Sequence, residues 1–444
     1  NWKFQIALNE IKTLRAKATD NIVLDLLTVG TLFWQYIAAV TVEENNNARD
    51  AFGKLIGEIK IRTEATLEKE PDNLKALYLL GFAEGSQSKF YAIEGDFPKA
   101  YRFGVKGFNH LKQIERINGR DFDTQFGIGL YKYYCATLLP RWFQKLSFFV
   151  PGIDVDREGG LHRICLSTKY SYLMKIESEL ALAQGYSSYE REYKLGEEIS
   201  AKLYKSYPDN KVFLYNHNVA LYYLGVQERY EGKPENALVI MKKALKMVND
   251  KTSFRMRFRK KNYLTADMRW RLDVPAEQEV IFAVYREMGR TYFYINEFDQ
   301  ADQILLEGAR RVGLSKDIRA ALYFEIGRQH KILDKSDFNT FIVKAMQTAG
   351  EGSEIANHCK TFLGSYFVLP APEKEIWKLQ CKISANKASL KDVLDLKNYF
   401  DKPEYSNYLY NFYEIMYPLY ELQGEHGLAE KYHDEVRFHA QLDR

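Results

Sequence analysis

The chain has few of the residues and spacings by which catalytic chemistry is recognised. Its 444 residues hold four cysteines, Cys135, Cys165, Cys359 and Cys381, with no C-x-x-C and no histidine at zinc spacing. They read as small buried apolar residues, with a Cys135–Cys165 or Cys359–Cys381 bridge as the alternative, so the redox compartment stays open. The eight histidines (110, 162, 217, 330, 358, 426, 433 and 439) form no H-E-x-x-H, and there is neither a phosphate-binding glycine loop nor a G-x-S-x-G. No catalytic residue, metal or cofactor is expected, and the chain reads as a non-enzyme. With only 11 prolines and 27 glycines, long disordered tracts are excluded. A net charge of +4 is too small to imply nucleic acid or a membrane surface. The most apolar run, Leu26 to Val42, has 17 residues without a charge but contains Thr28, Thr31, Gln35 and Thr41. A spanning helix needs about 20 apolar residues, so a buried helix is expected there. The chain opens on Asn1 rather than Met and so reads as processed or truncated, which leaves open a signal peptide or lipid anchor ahead of it.

What is present is repetition. Pro71–Ala100 recurs without a gap at Pro208–Ala237, an offset of 137 residues. Both copies keep Pro-Asp-Asn, then Leu-Tyr (Leu77-Tyr78, Leu214-Tyr215), then Ala83 or Ala220, then Glu-Gly, then Ala100 or Ala237. The pattern predicts helix, turn, helix, used more than once, and so an array of stacked pairs. Amphipathic helices are expected over 3–18, 22–42 and 48–69, with the polar run Glu43–Asn47 as the break. Further helices are expected over 122–149, cut at Pro140, and over 161–206, broken near Gly185–Ser188. Asp154 and Asp156 lack calcium-loop spacing and read as helix caps, with Arg157 and Glu158 tying the loop to a neighbouring helix.

Small residues at Gly81, Ala92, Ala100 and Gly104 give the first copy the look of a tetratricopeptide repeat. Gly289, Ala301 and Gly308, with Tyr285, Met288, Tyr292 and Leu305, fit that repeat better. A further match follows 38 residues on at Tyr323, Ile326, Gly327, His330, Asn339, Val343 and Met346. Gly81 to Ala100 spans 19 residues, about two helical turns more than the usual spacing. Asn339 stands where a small residue is usual, so that pair is expected to pack less tightly. A pair over 353–367 and 372–384, a helix over 389–400 and a last pair from Tyr413 to Val436 complete the array. The passage Gly127 to Leu161, with Asp156, Arg157, Glu158, Gly160 and Leu161, resembles extended tetratricopeptide proteins. That group includes the eukaryotic inclusion-clearance family and many bacterial envelope proteins. The resemblance covers about residues 70–250 and implies a protein-binding scaffold. The fold expected is an all-α, right-handed, tetratricopeptide-like solenoid with one inserted β-hairpin: long-helix repeats over 1–250, the hairpin over 251–276, and ordinary repeats with a cap over 277–444.

The hairpin expectation comes from alternation. Phe254, Met256 and Phe258 alternate with Arg255, Arg257 and Arg259, and Met268, Trp270 and Leu272 with Arg269, Arg271 and Asp273. Residues 251–276 carry eight Lys or Arg and two Asp, so the rest of the chain sums to −2. Arginine suits paired hydrogen bonding to carboxylate or phosphate. The five arginines with Trp270 are one candidate surface for an acidic protein partner; a solvated edge, and contact with lipid headgroups or nucleic acid, are the alternatives. A second candidate is Arg286, Arg290 and Arg328, which by resemblance line the groove of adjacent repeats, like the clamp for acidic peptide tails. The alternative there is pairing within the solenoid to Glu287 or Glu325.

These readings converge on a non-enzymatic interaction scaffold within a multi-subunit assembly. Its partners would be other proteins, through an acidic peptide or subunit surface, and not a specific nucleic acid. A membrane-associated adaptor, held by a partner or a lost anchor, is the alternative. By resemblance the compartment is a bacterial envelope, with the cytoplasm as alternative.

Overall fold

The computed structural model describes residues 4–17, 22–39, 42–138, 154–249, 276–364 and 371–384, with 389, 391–392 and 395–396. Among them lie seventeen α-helices, one π turn and no strand. The chain divides into two compact units; among the described residues the first runs to Asn216 and the second begins at His217.

The first unit is a succession of helix pairs: α1 (Phe4–Lys17), α2 (Ile22–Ala38), α3 (Val42–Lys69), α4 (Leu74–Glu94), α5 (Phe97–Ile117), α6 (Phe122–Leu138), α7 (Arg157–Tyr170), α8 (Lys175–Gly185) and α9 (Tyr193–Ser206). Its last described helix, α10 (Lys211–Tyr230), runs across the unit boundary. The second unit continues with α11 (Pro234–Asn249), α12 (Ala276–Tyr294), α13 (Phe298–Arg310), α14 (Lys316–Ile332), α15 (Phe338–Ala349), α16 (Glu354–Gly364) and α17 (Ala371–Ser384). Within each unit most consecutive helices pack on one another, as in a helical-repeat array.

The landmarks of the long repeat have structural roles. Asn73 caps α4 by accepting from Ala76 N at 3.0 Å, and Asn210 accepts from Val212 N at 3.0 Å in the second copy. The glycine of each Glu-Gly takes the left-handed conformation that ends a helix, φ 78° at Gly95 and 72° at Gly232. Asp96 then caps α5 through Lys99 N. Ala83, Ala220 and Ala237 are fully buried, and Leu77, Ile114 and Ile128 seal the core between α4, α5 and α6. Each such side chain contributes about 1.5–3 kcal/mol of burial.

The resemblance motif is a close crossing of α6 and α7. A Cβ on Gly160 would lie 2.7 Å from Tyr133 N and 2.8 Å from Gly129 O. Asp156 caps α7 by accepting from Gly159 N at 2.8 Å, and Lys132 reaches Asp154 and Asp156 at 3.0 and 3.2 Å. Arg157 pairs with Glu190 on the π turn Tyr186–Glu190, which also accepts from Tyr133 Oη at 2.6 Å. Glu158 is exposed in the first turn of α7, where it suits the helix dipole and ties down nothing.

Several expectations are corrected. The inserted β-hairpin is withdrawn and the fold class is all-α: there is no strand among the described residues, and Ala276 opens α12. An isolated two-stranded hairpin is marginal without a third strand or an apolar face to lie on, and no described element supplies a strand edge. Residues 251–275 lie outside the described residues, as do the expected short apolar helix after Pro140 and the pair from Tyr413. Glu43–Asn47 does not break the chain; these residues form the first turns of α3, whose dipole favours Glu43 and Glu44. Asn339 loosens nothing, because it is exposed while Ile342 fills the contact against Gly327. Helix α17 packs against α12, with Trp377 5.8 Å from the Phe293 ring. All four cysteines are free. Burial pushes the Cys135 thiol up to about 11 and Cys359 up to about 12, so both stay protonated and inert near neutrality.

His330 joins three elements of the second unit. Its Nε2 faces Asp302 at 2.7 Å on α13 and its Nδ1 faces Asp337 at 2.8 Å, just ahead of α15. Burial opposes the imidazolium and Lys335 adds repulsion, but the two carboxylates prevail and hold the histidine above its ordinary 6.5. A pKa raised on folding stabilises fully below the unfolded value and loses that contribution as pH rises through the folded value. The stability gap between the parent and His330→Gln is therefore expected to be widest below pH 6.5 and to narrow above it, measured by urea unfolding across pH.

Candidate functional site

Helices α10, α12 and α14 are the first members of three successive pairs in the second half of the chain. Arg286 and Arg290 lie one turn apart on α12, and Glu325 and Arg328 one turn apart on α14. The helical period puts each couple on one face. The packing of α12 on α14 brings the couples together.

Glu325 is the centre of the cluster. Arg290 Nε donates to its Oε1 at 2.9 Å, and Arg328 donates through Nη2 at 2.7 Å and through Nε to Oε2 at 3.3 Å. Burial alone would raise this carboxyl. Arg290, Arg328 and Arg286 overcome the burial and hold it far below the usual carboxylate range. Arg286 is itself buried, with its guanidinium 5.3 Å from the Phe282 ring.

A second buried pair lies one residue along α12. Arg229 of α10 donates to Glu287, and both are almost fully enclosed. The Arg229 guanidinium also lies 4.1 Å from the Tyr230 ring and 5.0 Å from the Tyr294 ring. Burial works against its charge, and Glu287 with the two tyrosines more than offsets that.

Four arginines thus face two glutamates. The Arg229–Glu287 pair is enclosed, while Arg286, Arg290 and Arg328 all act on the Glu325 carboxylate. Arg290 and Arg328 keep 18% and 21% of their side chains exposed, so the cluster has an open side. Gln329, beside Arg328 and one turn from Glu325, is 1% exposed, and neither amide atom finds a hydrogen-bond partner among the described residues.

Of the sequence candidates, the structure brings together Arg286, Arg290 and Arg328. Arg255, Arg257, Arg259, Arg269, Trp270 and Arg271 lie outside the described residues. Sequence reasoning named Glu287 and Glu325 as pairing partners but missed Arg229 and Gln329. The internal repeat carried a signal for Arg229: at the offset of 137 it stands opposite Ala92, a cation where the first copy has a small residue. Among the described residues no group of three His, Cys, Asp or Glu gathers as a metal site.

No family model matches the chain, and no curated protein matches it. Among solved structures it is similar to a monomeric mutant of IFIT1 in complex with m7Gppp-AAAA, at 11% identity and a TM-score of 0.33, over 97% of this chain and 76% of that one.

Proposed function

We propose that the chain is a non-enzymatic interaction scaffold, a subunit of a multi-protein assembly, and that its second unit receives an acidic peptide at Arg290 and Arg328. One observation carries this reading. Glu325 holds Arg290 and Arg328 side by side from beneath, and both keep part of their side chains exposed. An aspartate or glutamate side chain of a partner offers two acceptors to a guanidinium fork. Stacked helix pairs add contacts along the rest of the peptide.

The test is fluorescence anisotropy of labelled glutamate- and aspartate-rich peptides. The parent should bind them, with affinity falling as salt rises. Arg290→Gln/Arg328→Gln should bind about tenfold or more weakly, the scale of losing one or two charged hydrogen bonds. A Lys99→Gln change in the first unit should have no effect. Equal affinity of the parent and the double variant would remove the cluster from the binding surface.

A further inference from the structure

Helix α17 departs from the order of the array. A continuing repeat would lay it on α16, but the helix it packs against is α12. Its 14 residues form an amphipathic helix. Leu379 and Gln380 are buried and Ile376 and Trp377 half-buried, while Lys378 and Lys382 stay exposed. The contact falls beside the arginine cluster. Trp377 sets its ring 5.8 Å from Phe293, against the apolar cluster that holds Phe293, Tyr294 and Ile332. On α12, Phe293 and Tyr294 lie three and four residues after Arg290, and on α14 Ile332 lies four after Arg328. At that spacing they are neighbours one turn along the same helix face. The apolar end that α17 covers is therefore continuous with the partly exposed guanidinium groups of Arg290 and Arg328.

The docking is incomplete in its polar chemistry. Trp377 Nε1, Gln380 Oε1 and both amide atoms of Gln329, one turn before Ile332, are buried with no hydrogen-bond partner among the described residues. A helix built permanently into a core has its buried polar groups paired. Here the unpaired atoms work against the contact, and release of α17 returns those of Trp377 and Gln380 to water. Ion pairs do not hold the helix in place either. Among the described residues its lysines pair as Lys378–Glu375 and Lys382–Asp392, both within the same stretch of chain and neither with α12 or α14.

We infer that α17 is a resident pseudo-ligand, covering the apolar end of the arginine site until a partner segment with a large aromatic residue beside its acidic ones displaces it. The inference rests on the acidic-peptide reading of the cluster and adds the second half of the partner's chemistry. Carboxylates of the partner take Arg290 and Arg328, and its aromatic residue takes the place of Trp377 against Phe293 and Ile332. Such a ring is the kind of anchor on which a binding surface centres. The apparent affinity is the intrinsic one scaled by the fraction of molecules in which α17 is released.

The experiment compares two labelled peptides by anisotropy, one of glutamates alone and one of glutamates followed by a tryptophan. Trp377→Ser should bind the tryptophan peptide about tenfold more tightly than the parent. Gln380→Met puts an apolar chain of similar length in place of the unpaired amide. It should hold α17 more firmly and bind that peptide about threefold more weakly. The peptide of glutamates alone should bind all three proteins alike. Hydrogen exchange in α17 should rise in Trp377→Ser, fall in Gln380→Met, and rise in the parent when the tryptophan peptide is added. If Trp377→Ser does not fold, Gln380→Met decides alone. Parent-like affinity and exchange in the α17 variants, weaker binding by folded Trp377→Ser, or the same shifts with glutamates alone would overturn the inference. Where Arg290→Gln/Arg328→Gln loses binding and the α17 variants do not change it, this inference fails and the acidic-peptide reading stands. Where Arg290→Gln/Arg328→Gln binds like the parent, that reading fails as well.

Discussion

Glu325→Ala is expected to destabilise the second unit by about 3–5 kcal/mol, read as a lowered midpoint in urea unfolding. The carboxylate is buried and is shared by Arg290 and Arg328, with Arg286 close enough to depress it further. Its removal leaves three cations facing one another with little water to screen them. The reverse change is milder. Arg290→Gln removes one partner but also relieves repulsion among the arginines, so its cost should be about 1 kcal/mol. This asymmetry is specific to a cluster in which several arginines act on one carboxylate. An isolated ion pair would lose similar stability from either side. Equal losses in Glu325→Ala and Arg290→Gln would mean that Glu325 is not the shared centre of the cluster.

The second large effect concerns backbone approach. Gly160→Ala should cost the first unit about 3 kcal/mol, because the added methyl meets Tyr133 N and Gly129 O, atoms that no rotamer change can move aside. To accept it, α6 and α7 must separate, which loosens the cluster of Phe126, Leu130, Tyr133 and Ile164. Gly57→Ala is the control, since nothing lies within 4 Å of its added Cβ on α3. There the same methyl should stabilise by about 1 kcal/mol through helix propensity alone. Opposite signs for one chemical change separate a packing glycine from an incidental one. Equal effects at the two positions would contradict the close crossing.

The same contrast explains what could be read from the chain before its structure. Pro-Asp-Asn and Glu-Gly were legible because a helix cap and a left-handed helix end each demand particular residues locally. The small residues Gly81, Gly289 and Gly327 were legible because a fixed spacing is all that a repeated helix pair needs. Arg286, Arg290 and Arg328 could be grouped from helical period and repeat register. Whether they pair inward or face a partner depends on tertiary distance, and the geometry shows the inward pairing of Arg290 and Arg328 to Glu325. Alternation of apolar and arginine residues over 254–272 misled because period two is necessary for a half-buried strand but not sufficient. Two such runs still need a third strand or an apolar surface to lie on, and the segment itself writes neither. Glu43–Asn47 misled for a related reason: a polar run reads as a break unless its place at a helix start is known. Arg229 was missed because nothing in its own neighbourhood marks it, and only comparison with Ala92 in the other copy does so.

The most direct measurement for the arginine cluster is hydrogen–deuterium exchange of the chain with and without a saturating glutamate-rich peptide. The account predicts slowed exchange in α12 around Arg286–Tyr294 and in α14 around Glu325–Ile332, absent in Arg290→Gln/Arg328→Gln. Protection confined to other helices, or the same protection in the double variant, would contradict it.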